Sequence, residues 1–425
     1  MEILLKAATI VSPENKELHL KRRDIAIRGG KIHKIAASLE AGKGTELIKF
    51  KNLHVSLGWF DSSVAFGEPG FEERETLERG LLAAARGGFT DIVLSPNTNP
   101  LPDSSSDIVF LKKRGKAPGT RLHPMGTLTK NSEGRELAEL YDMKNAGAVA
   151  FFDFKKPLSN PNLLKLGLLY AQNFGGLLYS FPQDAHLKGN GVAHEGEMST
   201  SLGLRGIPSL AEELQIARDL FILEYTGGKL HIPTLSTAKS VELIAGAKKK
   251  GLDVSCSVAI HNLLFTDRKI EEFDTHYKVS PPLRDQTDIK ALIKGLRDGT
   301  IDFVTSDHLP IDIENKRLEF DNALDGTLGL ETAFGALNKV VGLDLGIALL
   351  TRGRSRFGLD EPGWKEGSWA NLTLFDPDTA YTFQEGDIVS TSKNSMFLGS
   401  ELKGKVYGVI SNNVKLLDTT NKVKL

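Results

Sequence analysis

Apolar and polar residues alternate in short runs at the start of the chain. Residues 3–11, DIAIRGGKIHKI at 24–35 and TELIKFKNLHVS at 45–56 carry the period of two expected of strands with one buried face. Gly29-Gly30 supplies the positive φ of a tight hairpin. The same texture returns in ANLTLFDP at 370–377, AYTF at 380–383 and LKGKVYGVISNNVKLL at 402–417, where Asn412-Asn413 gives a second hairpin signal. The two ends are therefore expected to meet in one small composite β-sandwich of residues 1–56 and 365–425.

Between them, continuous apolar runs alternate with helical patterns. TDIVLSPNTNP follows ETLERGLLAAARGG, GAVAFFDF follows ELAELYDMKNA, and GGLLYSF follows NLLKLGLLYAQNF; GGKLHIPTLS, LDVSCSVAI and IDFVTSDHLP come later, each after a helical pattern. Apolar strands separated by helices imply parallel strands covered on both faces. So many units in residues 57–364 favour a closed (β/α)₈ barrel of the TIM type over an open sheet. No Gly-x-Gly-x-x-Gly follows the early strands, which removes the usual dinucleotide fingerprint of the open alternative. In such a barrel, chemistry belongs at the carboxyl ends of the strands.

Composition narrows the class without changing this picture. The chain has 425 residues, 40% hydrophobic and 25% charged, with a net charge of -1. That balance gives no electrostatic reason to expect nucleic acid or an anionic membrane as a partner. A single cysteine, Cys256, excludes an internal disulfide framework and a cysteine-rich zinc site. The opening MEILLKAATIVSPENKEL lacks the pattern of a signal peptide, and no apolar run is long enough for a bilayer; a cytoplasmic location is expected.

The strand end at Gly58–Gly70 reads GWFDSSVAFGEPG. Residues two apart on a strand share a face, so positions 63, 65 and 67 should point together into the barrel mouth. They are Ser63, Ala65 and Gly67, and none offers the imidazole, thiolate or carboxylate that a catalytic zinc requires.

This frame, with its continuation FEERETLERG, resembles the opening signature of dihydroorotases and related cyclic-amide hydrolases of the amidohydrolase superfamily, Asp-x-His-x-His-x-Arg-Glu-Pro-Gly. Asp61, Glu68, Pro69 and Gly70 match. Ser63 and Ala65 stand where the resemblance places two metal-binding histidines, and Gly67 where it places the arginine that grips a substrate carboxylate. Pro96-Asn97-Thr98-Asn99-Pro100 is similar to the family's Pro-Asn-Thr-x-Pro, which makes Asn97 a candidate for substrate binding beside the plain reading of a turn. In GAVAFFDFKKP the resemblance leaves Asp153 as a possible remnant of a metal ligand. Lys155 and Lys156 read as solvated surface, or as candidates for the carboxylated lysine some relatives use.

Further along, Phe181 in LLYSFPQDAHL and Thr234 in HIPTLST take the remaining two family histidine positions. His231, three residues before Thr234, is expected on the opposite side of its strand, in ordinary packing. His261 in SCSVAIHNLLFTD matches one of a family histidine pair outside the metal shell. In TSDHLPID, Asp307 matches the family's proton-shuttling carboxylate, with His308 beside it as a second candidate for substrate binding. None of the ten histidines occupies position 63, 65, 181 or 234.

The resemblance thus implies a dihydroorotase-like chain of pyrimidine biosynthesis whose zinc has been lost and whose Asp307 is vestigial as a base. The expected role is that of an assembly subunit: a homo-oligomer, or a partner of aspartate carbamoyltransferase. The competing expectation is an active cyclic-amide hydrolase with a non-standard site around Asp153, His261, Asp307 and His308. Phe66, Phe152, Phe154 and Phe181 are the rings expected to fill space left by absent ligands, with Phe66 of the wrong parity to do so.

Overall fold

Alternating runs at both ends of the chain pair into one sheet. In this computed structural model, which describes residues 2–418, eight strands join in the order Val414–Leu417, Glu401–Ser411, Leu372–Thr382, His54–Leu57, Glu2–Ile10, Arg22–Arg28, Lys31–Ala36, with Glu46–Ile48 also on Glu2–Ile10. Met1 and residues 419–425 of the expected composite sandwich lie outside the described residues. Leu372 sits opposite Leu57 and Phe375 opposite His54 in an antiparallel register, so the chain's last third closes directly on its first. The period of two buries Ile3, Leu5, Ile25, Ile27, Leu372, Leu374 and Ile410 in a cluster of their own.

The middle of the chain is a (β/α)₈ barrel. Its strands are Trp59–Val64, Phe89–Leu94, Arg121–Pro124, Leu177–Tyr179, Lys229–Ile232, Val254–Ala259 and Phe303–Thr305, with a fourth position reduced to parallel bridges from Phe151 to Gly126 and to Leu178. Helices follow each strand, several of them capped by their own sequence. The Thr76 hydroxyl accepts from Arg79 N and the Asp285 carboxylate from Thr287 N and Asp288 N, satisfying amides that a first turn leaves open.

Two buried carboxylates hold the barrel together at its seams. Asp61 closes the first strand against the last, accepting from Thr305 Oγ1 at 2.5 Å, Ser306 N at 2.9 Å and Ser63 N at 3.1 Å. Asp91, on the second strand, receives Arg121, His123 and the fully buried Arg354. Burial pushes the Asp91 carboxyl's pKa up, but the His123 hydrogen bond and the charges of Arg354 and Arg121 outweigh it and hold it well below the ordinary range. Arg354 also donates to Gly58 O at 2.7 Å, where the chain passes from sheet to barrel.

The barrel interior is aromatic. Phe60, Phe152, Tyr179, Phe181, Phe303 and Phe357 pack in one cluster with Met125 and Val93. His231 belongs to this interior, stacked on Phe303 with centroids 5.1 Å apart and bonded to Ser255 Oγ and Ser257 Oγ. The expectation that it packs is met, but it faces the barrel axis. The strand ends at Ile232, and a left-handed turn at Thr234 (φ 48°) breaks the alternation from which its side was counted.

Candidate functional site at the barrel mouth

Ser63, Ala65, Phe181 and Thr234 are all buried, and three of them have a hydrogen bond or a packing role of their own. Ser63 Oγ shares a hydrogen bond of 2.9 Å with Ser95 Oγ. Ala65 packs with Leu309 and Ile311 under Phe154. Phe181 lies in the interior aromatic cluster. Thr234 Oγ1 is buried without a hydrogen-bond partner. Hydroxyls, a methyl group and a phenyl ring are poor donors for zinc. Among the described residues, no three His, Cys, Asp or Glu side chains group as a cation would require.

Asp153, His261, Asp307 and His308, the alternative constellation, are all buried. The Asp153 carboxylate accepts from Leu128 N and Thr129 N at 3.0 Å and from Thr129 Oγ1 at 2.5 Å, pinning the loop after the third strand. Burial nonetheless leaves its pKa raised. His308 is fully buried. Its Nδ1 accepts from Gly329 N and Leu330 N, and its ring stands edge-on to Phe66, which packs against Gly80 of the Leu77–Arg86 helix. Burial lowers its pKa to about 4, so the imidazole is neutral and Nε2 carries the proton.

His261, in the turn Ile260–Leu263, is fully buried with neither ring nitrogen bonded. Burial and then the Lys155 charge push its pKa down to about 3, which removes it as a proton donor near neutral pH. Asn97 is half-buried in a turn held from both sides, with Asn99 N on Pro69 O and Thr98 Oγ1 on Pro100 O. That geometry satisfies the turn reading and leaves the amide itself without an assigned partner.

Lys155, read from the sequence as solvated surface or as a candidate carboxylated lysine, proves to pair with Asp307. Instead of lying on solvated surface it turns inward from a left-handed backbone (φ 53°). Its Nζ donates to Asp307 Oδ2 and to Ser280 O, each at 2.8 Å, with 13% of the side chain exposed. Asp307 also sits in a left-handed turn (φ 47°) and is 3% exposed. Burial raises its pKa, and the Lys155 ammonium opposes that rise. The signal for this pair was a carboxylate on a strand end that had lost its cationic neighbours, since a buried charge needs a counter-charge.

The 67–75 loop packs closely against Gly67. A Cβ there would lie 1.8 Å from Phe71 O and 3.2 Å from Glu75 O. Phe71 N donates to Gly67 O, and Gly67 N and Glu68 N donate to Glu75 O, so the 67–75 loop folds against this residue. Glu68, retained from the Glu-Pro-Gly frame, accepts from Leu77 N at the start of the first barrel helix and from Arg114.

Comparison with known proteins bears on the family and the frame of the chain. Residues 54–240 match a family model described as Dihydro-orotase-like. The dihydroorotase of Pelotomaculum thermopropionicum is 39% identical over 417 residues, spanning 96% of this chain and 97% of its own. That of Geobacter metallireducens is 36% identical over 414 residues, with 95% and 96% covered. Among solved structures, the L-hydantoinase (dihydropyrimidinase) of Arthrobacter aurescens superposes with a TM-score of 0.84 at 22% identity, covering 99% of this chain and 98% of that one. A dihydropyrimidinase from Brevibacillus agri gives 0.79 at 21% identity, covering 100% and 96%. The hydantoinases establish the architecture, a (β/α)₈ barrel with a β-sandwich, and the full-length relatives establish descent: this chain belongs to the dihydroorotase family.

Proposed function

We propose that this chain is a dihydroorotase homologue that holds no catalytic zinc, does not open dihydroorotate, and serves as an assembly subunit. The observation that carries the reading is the Lys155 ammonium on the Asp307 carboxylate. Hydrolysis of a cyclic amide needs a deprotonated water, and in this family the matching carboxylate takes that proton. Water that no metal activates has a pKa of about 15.7, far beyond the reach of a carboxylate already engaged by an ammonium. Two further features support the reading. Ser63, Ala65, Phe181 and Thr234 supply no ligand set that fits zinc. The closed 67–75 loop leaves no room for a carboxylate-gripping arginine at 67.

The assembly role rests on what is retained: a whole-length frame whose altered positions concern chemistry more than shape. Self-association is the first form of it, and aspartate carbamoyltransferase is the partner that the resemblance suggests.

The test is elemental analysis of protein purified from zinc-replete medium, combined with a dihydroorotate hydrolysis assay. Zinc far below stoichiometric and no turnover above buffer are expected. Stoichiometric zinc with turnover abolished by chelator, or by Asp307→Ala, would overturn the proposal.

A further inference from the structure

We infer that a depression at the amino-terminal end of the barrel, where the terminal sheet meets it, binds a neutral sugar stacked on the Trp369 indole. The site lies away from the mouth and is independent of the reading above.

The carboxyl ends of the strands form the mouth, and this depression opens at the other end. Arg121, the first residue of the Arg121–Pro124 strand, lines it, and its volume is about 590 Å³, within the range of sites that take small ligands. One wall is residues 368–371, where the chain enters the terminal sheet. The second is the turn at 411–413 that follows the Glu401–Ser411 strand, and the third is the irregular segment 360–363.

Trp369 makes the platform. Its backbone is fixed on both sides, since Ala370 N donates to Gly30 O at 2.8 Å and Ile32 N to Ser368 O at 2.9 Å. The ring is nevertheless 61% exposed, although an indole has a large apolar face to bury. Lys31 Nζ stands over the ring at 5.1 Å from its centroid but forms no part of the depression's wall, so indole surface remains open on the side of the depression. A plate already held in place adds little ordering cost when a ligand stacks on it.

Ser411 is the second, independent sign. It is 1% exposed and its Oγ has no hydrogen-bond partner, whereas buried polar side chains are nearly always paired. Ser411 lines the depression, and rotation about its Cα–Cβ bond turns the hydroxyl between staggered positions without moving the backbone. Asn371 Oδ1 is also unpartnered, but it lies against Gly58, so Ser411 is the group that a ligand's hydroxyl can satisfy. Beside it the exposed carboxamides of Asn412 and Asn413 offer both donors and acceptors. Asn413 is held against Gly30, where a Cβ would meet its Oδ1 at 2.8 Å.

Charge selects the class of ligand. The Arg121 guanidinium is already engaged, its Nε and Nη2 donating to Asp91 at 2.7 and 3.1 Å. Asp360 and Glu361 on the third wall are exposed carboxylates, which repel a phosphate or a carboxylate. A cationic ligand would have to share the ring with Lys31 and face Arg121. What fits is a neutral ring with one apolar face and hydroxyls around its edge: the face lies on the indole, and the hydroxyls reach Ser411, the two asparagines and the carboxylates. A pyranose is built in this way.

The test uses the full chain. Of its three tryptophans, Trp59 and Trp364 are 0% and 8% exposed, so acrylamide quenching of the protein's fluorescence reads Trp369. D-glucose, D-galactose, N-acetylglucosamine and maltose, each titrated through the millimolar range, are the probes, with uracil and inorganic phosphate as the planar and anionic alternatives. At least one sugar is expected to lower the quenching constant saturably, and uracil and phosphate to leave it unchanged. By calorimetry, Trp369→Ala should raise that sugar's dissociation constant at least about tenfold and Ser411→Ala about threefold to tenfold, with far-UV circular dichroism and thermal midpoint close to those of the wild type. Protection by none of the sugars would overturn the site, as would sugar binding that Trp369→Ala leaves intact. Protection by uracil or phosphate alone would overturn the class of ligand.

Discussion

At the scale of single residues, the buried carboxyls of Asp307 and Glu75 both make stability depend on pH, because burial raises the pKa of each. Lys155→Met removes the ammonium opposing the rise in Asp307's pKa, and breaking a buried pair from one side costs about 3–5 kcal/mol. In this variant Asp307 takes up a proton in the folded state, so the loss is largest above its raised pKa and shrinks as pH falls toward the ordinary aspartate value. Urea unfolding at pH 5 and pH 8 should show that difference. The double variant Lys155→Met, Asp307→Leu should recover most of the stability, and a double variant no more stable than the single one would count against the pair. Glu75 is buried with its carboxylate on Thr391 N and Oγ1. Burial raises its pKa from 4.5 to about 7, against the Thr391 hydrogen bonds and aided by nearby Glu331. The folded chain therefore holds a proton that the unfolded chain has released between those values, and stability falls as pH rises through that window. Glu75→Gln keeps an acceptor without the charge. It should stabilise by about 1–3 kcal/mol at pH 8 and change little at pH 4.

Elements explain why the mouth was harder to read than the fold. Gly67 belongs to a loop that has folded onto it, so Gly67→Arg should lower the thermal midpoint by several degrees and restore no hydrolysis. Gly67→Ala, carrying only the Cβ that meets Phe71 O, should already show most of that destabilisation by calorimetry. The strands and helices were legible because period and length carry them: alternating runs became the terminal sheet, and buried runs such as TDIVL became barrel strands. The fourth strand position was legible only as a pattern, since GAVAFF pairs through Phe151 alone. Side-chain direction at the mouth was not legible. Lys155, Thr234 and Asp307 all sit in left-handed turns, where counting by twos no longer says which way a side chain points. The role of Asp61 was hidden for another reason. Its partners Thr305 and Ser306 lie more than two hundred residues away, so a residue that belongs to a metal-site signature proves to be the clasp of the barrel.

At the scale of the whole molecule, the question is whether protein contacts alone close the barrel mouth. The Asp61 clasp joins first strand to last, Ala65 N donates to His308 O at 2.8 Å across the same seam, and Phe154 covers Ala65, Leu309 and Ile311. The Lys155 ammonium pairs with the buried Asp307 carboxylate. The proposal that the mouth holds no cation predicts that the barrel owes none of its stability to one, and thermal unfolding tests that directly. A ligand that binds only the folded state stabilises it by RT ln(1 + [L]/Kd), which for free zinc at ten thousand times Kd is about 5 kcal/mol. Even in a large domain that amounts to several degrees in the midpoint. The expected result is a midpoint unchanged to within about 1 °C between protein incubated with a strong chelator and protein supplied with micromolar zinc. A chelator-induced fall of several degrees, reversed by adding zinc back, would mean that the mouth holds a cation and that the Lys155–Asp307 pair does not replace it.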